Sequence, residues 1–264
     1  MFQMPGAGRA FRTSALAVAA FAAIAALSAC APVTNERLPD TIQDESSSPD
    51  RKLDQPTHAN DSLPSAKSDE STDVDTDPTT SSDEAILAKY ANLDRDHLIP
   101  RGLLATALNY YDSNLAQIRN KTYLAVIDFS LPSTKQRFWI ITMATGDVFA
   151  TTVAHGKGSD ANNDGFAEKF SNVDGSLASS LGVYVTDNTY NGSNGLSLRI
   201  DGKSATNSNA RSRAVVIHGA AYVQDREVQQ GRSWGCPAVP QAYRDRIIGW
   251  LKGGSVLYIG LSAK

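Results

Sequence analysis

One cysteine and one histidine in the C-terminal part of the chain have the types and spacing of a thiol–imidazole pair. Cys236 follows His218 by eighteen residues; His218 ends the apolar run Val216-Ile217-His218, and Cys236 lies among small residues after Gly235. A nearby imidazole lowers the pKa of a thiol and can return its proton to a leaving amine, and the thiolate is the nucleophile. This pattern predicts acyl transfer through Cys236, with His218 as the base.

Spacing alone leaves open the alternative that Cys236 is an inert buried cysteine. The residues next to it suggest further roles in catalysis. A glycine at 235, directly before the nucleophile, would let backbone N–H groups approach a developing oxyanion. Arg232 would bind a substrate carboxylate through two parallel hydrogen bonds.

At these residues the sequence resembles the murein L,D-transpeptidase catalytic domain family, the ErfK-type cysteine transpeptidases. The family motif is His, a spacer and Ser/Thr-X-Gly-Cys, which His218 and Ser233-Trp234-Gly235-Cys236 match. The resemblance covers most of residues 121–260. Further matching stretches are Val153-Ala-His-Gly-Lys-Gly-Ser159, Phe170-Ser-Asn172, Ser179-Ser-Leu-Gly182, Val216-Ile-His-Gly-Ala220 and Gly231-Arg-Ser-Trp-Gly-Cys-Pro-Ala-Val239.

The resemblance implies Cys236 as nucleophile, His218 as base, the carbonyl of Gly219 as the group that orients the imidazole, and the amides of Gly235 and Cys236 as part of the oxyanion hole. The implied reaction cleaves the bond before the terminal D-Ala of a peptidoglycan tetrapeptide stem and forms a thioester. An amine then takes the acyl group, giving a 3→3 cross-link or an exchanged terminal D-amino acid. Attack by water would make the protein an L,D-carboxypeptidase, and a catalytically silent peptidoglycan-binding lipoprotein is a third possibility.

Two departures from the family pattern affect substrate binding. Many relatives have a second histidine where this chain has Trp234, and relatives often place Arg or Asn where it has Ala238. The substrate carboxylate must then be bound from elsewhere. For His155, a hydrogen-bonded structural role is the alternative to substrate binding. The candidate substrate-binding residues are Arg232, Ser233, Trp234, Arg213 and His155.

No metal or other cofactor is expected. The compact Cys and His spacings of zinc sites are missing. Residues 160–165, Asp-Ala-Asn-Asn-Asp-Gly, match the opening of a calcium loop, but the twelfth position is Ser171 rather than the bidentate Glu. A polar surface turn explains the same residues. No nucleic-acid motif is present.

The elements that must position these residues form a mainly β domain. Apolar residues at helical spacing from Arg101 to Ile118 predict a leading helix, and Pro240 to Lys252 predicts a late helix with Gly253 as its cap. Between them, short runs rich in β-branched and aromatic residues predict strands. These runs begin at positions 123, 137, 148, 182, 196 and 214, and a last one begins at 256. The expected fold is an L,D-transpeptidase-like β-sandwich or mixed sheet.

The N-terminal part predicts export. Residues 1–29 have a basic start and a short Ala-rich apolar stretch, as in a signal peptide, and Leu27-Ser28-Ala29-Cys30 resembles the lipobox of bacterial lipoproteins. That resemblance implies lipidation at Cys30 and a membrane anchor. For a Gram-negative host, Ala31 in place of Asp favours an outer-membrane anchor facing the periplasm.

The two remaining segments differ in charge. Residues 30–83 are rich in Ser, Thr, Asp and Pro and predict a disordered tether, with Asp83 as the N-cap where order begins. Residues 36–84 carry 14 acidic and 4 basic side chains, so the catalytic domain at 84–264 is net basic although the whole chain carries −3. A basic domain would suit an anionic partner such as the carboxylates of peptidoglycan stem peptides.

Overall fold

The computed structural model of the chain describes residues 78–262. The predicted signal peptide, the lipidation site at Cys30 and most of the predicted tether lie outside the described residues. Among the helices of the described part, none is long and apolar enough to cross a membrane.

Three α-helices, a short 3-10 helix (Ala205–Asn207) and eight strands are found in residues 78–262. The helices are α1 (Pro78–Lys89), α2 (Arg101–Ser113) and α3 (Arg244–Leu251). The strands are β1 (Tyr123–Asp128), β2 (Phe138–Thr142), β3 (Val148–Thr151), β4 (Gly182–Gly192), β5 (Gly195–Gly202), β6 (Val216–Ala220), β7 (Ala238–Pro240) and β8 (Val256–Gly260).

The strands form one mixed sheet in the order β3-β2-β1-β8-β4-β5-β6-β7. Most neighbours are antiparallel; β1 with β8 and β6 with β7 are parallel. A bridge between Ala154, just after β3, and Ala238 in β7 joins the two ends of the sheet. The sheet is therefore nearly closed, and β6 and β7 lie next to the segment that follows β3.

The central strands are apolar on both faces because each face covers a separate core. In β1, Ala125 and Ile127 point into the core that also contains α3, whereas Leu124 and Val126 pack in the core under α1 and α2. Successive side chains of a strand point to opposite faces, so an unbroken apolar run is what a strand between two cores requires.

Helix α2 is amphipathic and covers the second core. Leu103, Leu104, Leu108 and Tyr111 are buried along one side of it. Burial of each such side chain contributes about 1.5–3 kcal/mol. Through this packing α2 contacts β1 and β8 on one face of the sheet. In the strand order, β4 and β5 lie between these strands and the β6–β7 pair.

The predicted fold class, mainly β with a mixed sheet, an early helix and a late helix, is confirmed. Four details differ. Helix α2 ends at Ser113 rather than Ile118. A first helix begins at Pro78, before the predicted N-cap at Asp83. The late helix begins at Arg244 rather than Pro240, because a turn separates it from β7. Strand β7 has only three residues, too few to show an apolar period.

Candidate active site

The strand pair β6–β7 positions the two predicted catalytic residues. The parallel register pairs His218 of β6 with Ala238 of β7, and Cys236 lies two residues before Ala238. The amide of Val216, two residues before His218, donates a hydrogen bond to the Cys236 sulfur at 3.5 Å. The nucleophile and the base are therefore held by adjacent segments of the same sheet.

The ring of His218 has a defined tautomer. Its Nδ1 lies 3.0 Å from the carbonyl oxygen of Gly219. A carbonyl oxygen only accepts, so Nδ1 carries the proton and Nε2 has the free lone pair of a base. Burial lowers the pKa of His218, and the bond to the Gly219 carbonyl opposes that shift. The imidazole is consequently neutral at neutral pH and ready to accept a proton.

The resting thiol of Cys236 does not have the lowered pKa that its sequence context suggested. Burial raises the pKa of the thiol, and the Val216 amide and the positive charge of Arg213 only partly oppose it. Within residues 78–262 no hydrogen bond joins the sulfur to His218; the thiol contacts the carbonyl oxygen of Ala214 at 3.7 Å. The site thus holds a neutral thiol and a neutral imidazole on neighbouring segments, with no direct hydrogen bond between them.

The hydroxyl of Ser233 organises the turn that carries the nucleophile. It donates to the carbonyl oxygen of Cys236 at 2.6 Å and accepts from the amide of Gly235 at 3.1 Å. Ser233 is buried, 4% exposed, so it shapes the loop from within and is not available as the substrate contact predicted for it.

The predicted oxyanion role of the Gly235 amide is wrong for this geometry, because that N–H already donates to Ser233. The amide of Cys236, in contrast, has no acceptor among the described residues, and its oxyanion role stays a prediction. Gly235 is required for another reason. Its φ is +117° and an added Cβ would lie 2.8 Å from the carbonyl oxygen of Ala178.

A second glycine lets another loop approach the nucleophile turn. An added Cβ on Gly156 would lie 2.8 Å from the Cα of Gly235 and closer still to the Leu177 carbonyl oxygen. Ser179 ties the same three segments together, accepting from the Gly156 amide at 3.0 Å and donating to the Gly235 carbonyl at 3.3 Å. Ser179 lies in a stretch that resembles the family, but its sequence alone indicated no role.

Arg213 lies beside the nucleophile and holds the loop that covers it. Its guanidinium donates to the carbonyl oxygens of Ser171 and Ala178 at 2.8 and 2.7 Å. Its other hydrogen bonds go to the hydroxyls of Ser176 and Ser180. All these acceptors are neutral, and no carboxylate of the described residues forms an ion pair with Arg213. Its charge therefore remains available to an anion near Cys236.

Arg232 and Trp234 flank the turn in different ways. The Arg232 guanidinium donates to the backbone carbonyl of Asp160, so part of its donor capacity is used within the protein. Trp234 is 74% exposed, and the ammonium of Lys157 lies 5.7 Å from the centre of its ring. Trp234 is the predicted substrate-binding residue that presents most of its surface to solvent.

His155 does not reach the substrate side of the site. It is 1% exposed, and both ring nitrogens have protein partners, Arg137 at 2.8 Å and Asp160 at 3.1 Å. Burial and the charge of Arg137 lower the pKa of His155 to about 4. The predicted substrate-binding role is corrected to the structural alternative.

The calcium-like stretch is a hydrogen-bonded turn. The Asp160 carboxylate accepts from the amides of Asp164 and Gly165, both at 3.1 Å, as well as from His155. No cluster of three His, Cys, Asp or Glu side chains suited to a metal lies within residues 78–262.

Sequence reasoning missed Arg137 and Tyr222. Arg137 heads an apolar run and reads as a strand-edge residue, yet it is fully buried. Tyr222 is 41% exposed as a whole, yet desolvation of its hydroxyl and then the charge of a Cys236 thiolate raise its pKa, so its hydroxyl lies near the sulfur. Neither has a local sequence signal, because each owes its position to contacts with distant segments.

The profile of the L,D-transpeptidase catalytic domain, YkuD_2, matches residues 96–259. No curated protein sequence matches the chain significantly.

Several solved structures are similar at low sequence identity. The L,D-transpeptidase LdtMt1 in complex with imipenem is 12% identical, over 53% of this chain and 59% of that one, with a TM-score of 0.33. The helical cell shape determining protein Pgp2 from Campylobacter jejuni is 11% identical, over 59% and 56%, with a TM-score of 0.33. An L,D-transpeptidase (Yku) from Stackebrandtia nassauensis is 12% identical, over 69% and 78%, with a TM-score of 0.32.

The chain thus spans little more than half the length of the first two of these structures. The family profile, in contrast, covers more than half of this chain and includes both Cys236 and His218. The resemblance noted in the sequence is confirmed: the chain belongs to the L,D-transpeptidase catalytic domain family.

Proposed function

We propose that the protein is a cysteine L,D-transpeptidase that acts on peptidoglycan stem peptides through a thioester at Cys236. The observation that carries the proposal is the hydrogen bond from Val216 to the Cys236 sulfur, on the strand where His218 presents an unprotonated Nε2. Acyl transfer by cysteine needs a thiol and a base that takes its proton; β6 contacts the thiol through its backbone and carries the base as a side chain.

In the first step the thiol leaves the carbonyl of Ala214 and passes its proton to Nε2 of His218. The sulfur attacks the carbonyl carbon before the terminal D-Ala, and the new oxyanion accepts a hydrogen bond from the Cys236 amide. The peptide bond then breaks, and the imidazolium gives its proton to the departing amine. A thioester and a free D-Ala result.

In the second step an acceptor amine attacks the thioester. His218 takes the proton of that amine, the carbon–sulfur bond breaks, and the thiolate is reprotonated. A stem amine gives a 3→3 cross-link, and a free D-amino acid gives an exchanged terminus. Water as the acceptor would give a tripeptide, the carboxypeptidase outcome.

The charge near the site supports an anionic substrate. Arg213 is bound only to neutral oxygens, so a stem carboxylate would provide its counter-charge. The exposed face of Trp234 with Lys157 beside it adds an apolar surface and a second positive charge at the edge of the turn.

The experiment that tests the function is covalent labelling of the full chain. We expect a carbapenem and a tetrapeptide donor to add one acyl mass to the wild-type protein, and none to the Cys236→Ala variant. Lys252→Ala, at the far end of α3, is the matched control and should label as the wild type does. A wild-type protein that stays unlabelled with both reagents would support the silent, peptidoglycan-binding alternative.

The acceptor is identified by the products formed from purified sacculi. Cross-linked dimers or exchanged termini support transpeptidation, and tripeptides alone support the carboxypeptidase. Because both share the thioester, the labelling result does not depend on this outcome.

We also propose that the mature protein is a lipoprotein of the cell envelope, anchored through Cys30. The motif Leu27-Ser28-Ala29-Cys30 supports this. Palmitate labelling in cells should be lost in Cys30→Ala, and cell fractionation of the wild-type protein should place it in the outer membrane. Labelling that persists in the variant contradicts the anchor.

A further inference from the structure

We propose that His155, held between Arg137 and Asp160, is a positioning residue that fixes the Cys236 turn for acyl transfer. The inference rests on the proposed function and extends it to a buried group that touches neither the sulfur nor the substrate.

The segment that contains His155 holds the nucleophile turn from both sides. The amide of Ala154 donates to the carbonyl of Ala238 at 2.9 Å, beyond Cys236. Before Cys236, the amide of Ser233 donates to the carbonyl of His155 at 2.9 Å, and the amide of Lys157 donates to the carbonyl of Ser233 at 2.8 Å. His155 is thus central in a backbone bracket around the nucleophile.

The side chain of His155 determines where this bracket lies. The Arg137 guanidinium has only donors, so Nδ1 of His155 accepts its hydrogen bond. The proton is therefore on Nε2, which donates to the Asp160 carboxylate. The ring thus presents an acceptor to a buried cation and a donor to a buried anion, both in the plane of the imidazole.

Both partners of the ring are themselves fixed. Arg137 is 0% exposed and also donates to the carbonyl oxygens of Leu131 and Val153. Asp160 is 0% exposed, and its own carbonyl accepts from Arg232, the residue directly before Ser233. The network therefore reaches the nucleophile turn by two routes, through the His155 carbonyl and through Arg232.

An apolar residue at position 155 would leave the cation and the anion facing each other without the ring between them. The side chains would rearrange, because an unpaired buried charge is costly, and the bracket would move with them. A displacement of the reacting atoms by about 1 Å can reduce a rate about 100-fold. Loss of the ring should consequently slow acylation more than it weakens substrate binding.

The test compares His155→Leu with His155→Gln in the full chain. Glutamine can accept from Arg137 and donate to Asp160, and leucine can do neither. His97→Asn is the matched control, since His97 is exposed with φ +52°, a conformation that asparagine tolerates. The maximal rate of acylation and the half-saturating carbapenem concentration are measured separately. The rate is calculated per mole of folded protein.

We expect His155→Leu to lower the maximal rate about 100-fold, with little change in the half-saturating concentration. His155→Gln should recover most of the rate, and His97→Asn should behave as the wild type. Equal maximal rates in folded wild-type and His155→Leu protein would overturn the proposal. If His155→Leu does not fold, Asp160→Asn, which removes the charge and keeps the shape, replaces it and should show a smaller loss in the same parameter.

Hydrogen exchange provides a readout that does not need the enzymatic activity. In His155→Leu the amides of Ser233, Gly235 and Lys157 should exchange faster, while amides of β1 and β8 keep their protection. Exchange that is faster throughout the protein, or unchanged at these three amides, would contradict a positioning role. If wild-type protein is not acylated at all, the proposed function fails, and this exchange pattern still decides the role of His155.

Discussion

The sulfur of Cys236 accepts a hydrogen bond from the amide of Val216, which stands two residues before His218 in the same strand. Strand β6 therefore fixes the sulfur through its backbone and the base through its side chain. The backbone of β6 thus contacts both predicted catalytic side chains, the sulfur through the Val216 amide and the imidazole through the Gly219 carbonyl.

The first prediction concerns the pH dependence of acylation. Burial lowers the pKa of His218 and raises that of the Cys236 thiol. The rate should therefore fall on the acid side only below roughly pH 6.5, the usual value for histidine. His218→Gln should react appreciably only where the thiol ionises unaided, above roughly pH 8.5.

The measurement is the second-order rate of carbapenem acylation from pH 5 to 10 for both proteins. Their ratio should be largest near neutral pH. Profiles of the same shape and height would mean that His218 is not the base.

The second prediction concerns Ser233. Ser233→Ala removes the donor to the Cys236 carbonyl and the acceptor of the Gly235 amide. The buried amide left without a partner should cost about 1–3 kcal/mol in the free energy of unfolding, and the acylation rate should fall. Ser233→Thr keeps the hydroxyl and is the matched comparison. Urea unfolding and acylation kinetics measure both effects, and an alanine variant that acylates as fast as wild type would contradict them.

The third prediction compares two glycines. Gly156→Ala forces a Cβ to within 2.8 Å of the Gly235 Cα, so it should lower the free energy of unfolding by about 1–3 kcal/mol and slow acylation. Gly102, inside α2, has nothing within 4 Å of its added Cβ, so Gly102→Ala should stabilise by about 0.5–1 kcal/mol. Urea unfolding of both variants measures these changes. The prediction requires that the free energy of unfolding falls in Gly156→Ala and rises in Gly102→Ala.

The fourth prediction links stability to the protonation of His155. The folded protein holds the pKa of His155 at about 4, first through burial and then through the charge of Arg137. An unfolded histidine titrates near roughly 6.5, so the unfolded chain binds the proton first as the pH falls. Stability is therefore fully present above about pH 6.5 and is lost toward pH 4, by about 3 kcal/mol.

Because carboxylates also titrate in this range, the quantity to measure is the difference in unfolding free energy between wild type and His155→Gln at each pH. That difference should change by about 3 kcal/mol between pH 7 and 4. A difference independent of pH would show that His155 is not buried neutral.

Local patterns were sufficient for much of the architecture. Alternating and unbroken apolar runs predicted the strands from β1 to β6 and β8. Successive side chains of a strand face opposite sides of the sheet, so the pattern of apolar residues shows which sides are buried. Leu104, Leu108 and Tyr111 at helical spacing predicted α2. Strand β7 was not predicted, because it has only three residues next to a proline and its strand conformation depends on pairing with β6.

For the site as well, the sequence determined some features and the tertiary structure decided others. The sequence by itself determined that an imidazole ends an apolar segment and that a thiol follows eighteen residues later among small residues. Ser233 and Gly235 stand at motif positions, and these residue types indicate the class of reaction. Tertiary structure decided that the Gly235 amide serves Ser233, that His155 is buried between Arg137 and Asp160, and that the resting thiol is neutral. Each of these depends on burial and on contacts between residues far apart in the chain, which no local pattern encodes.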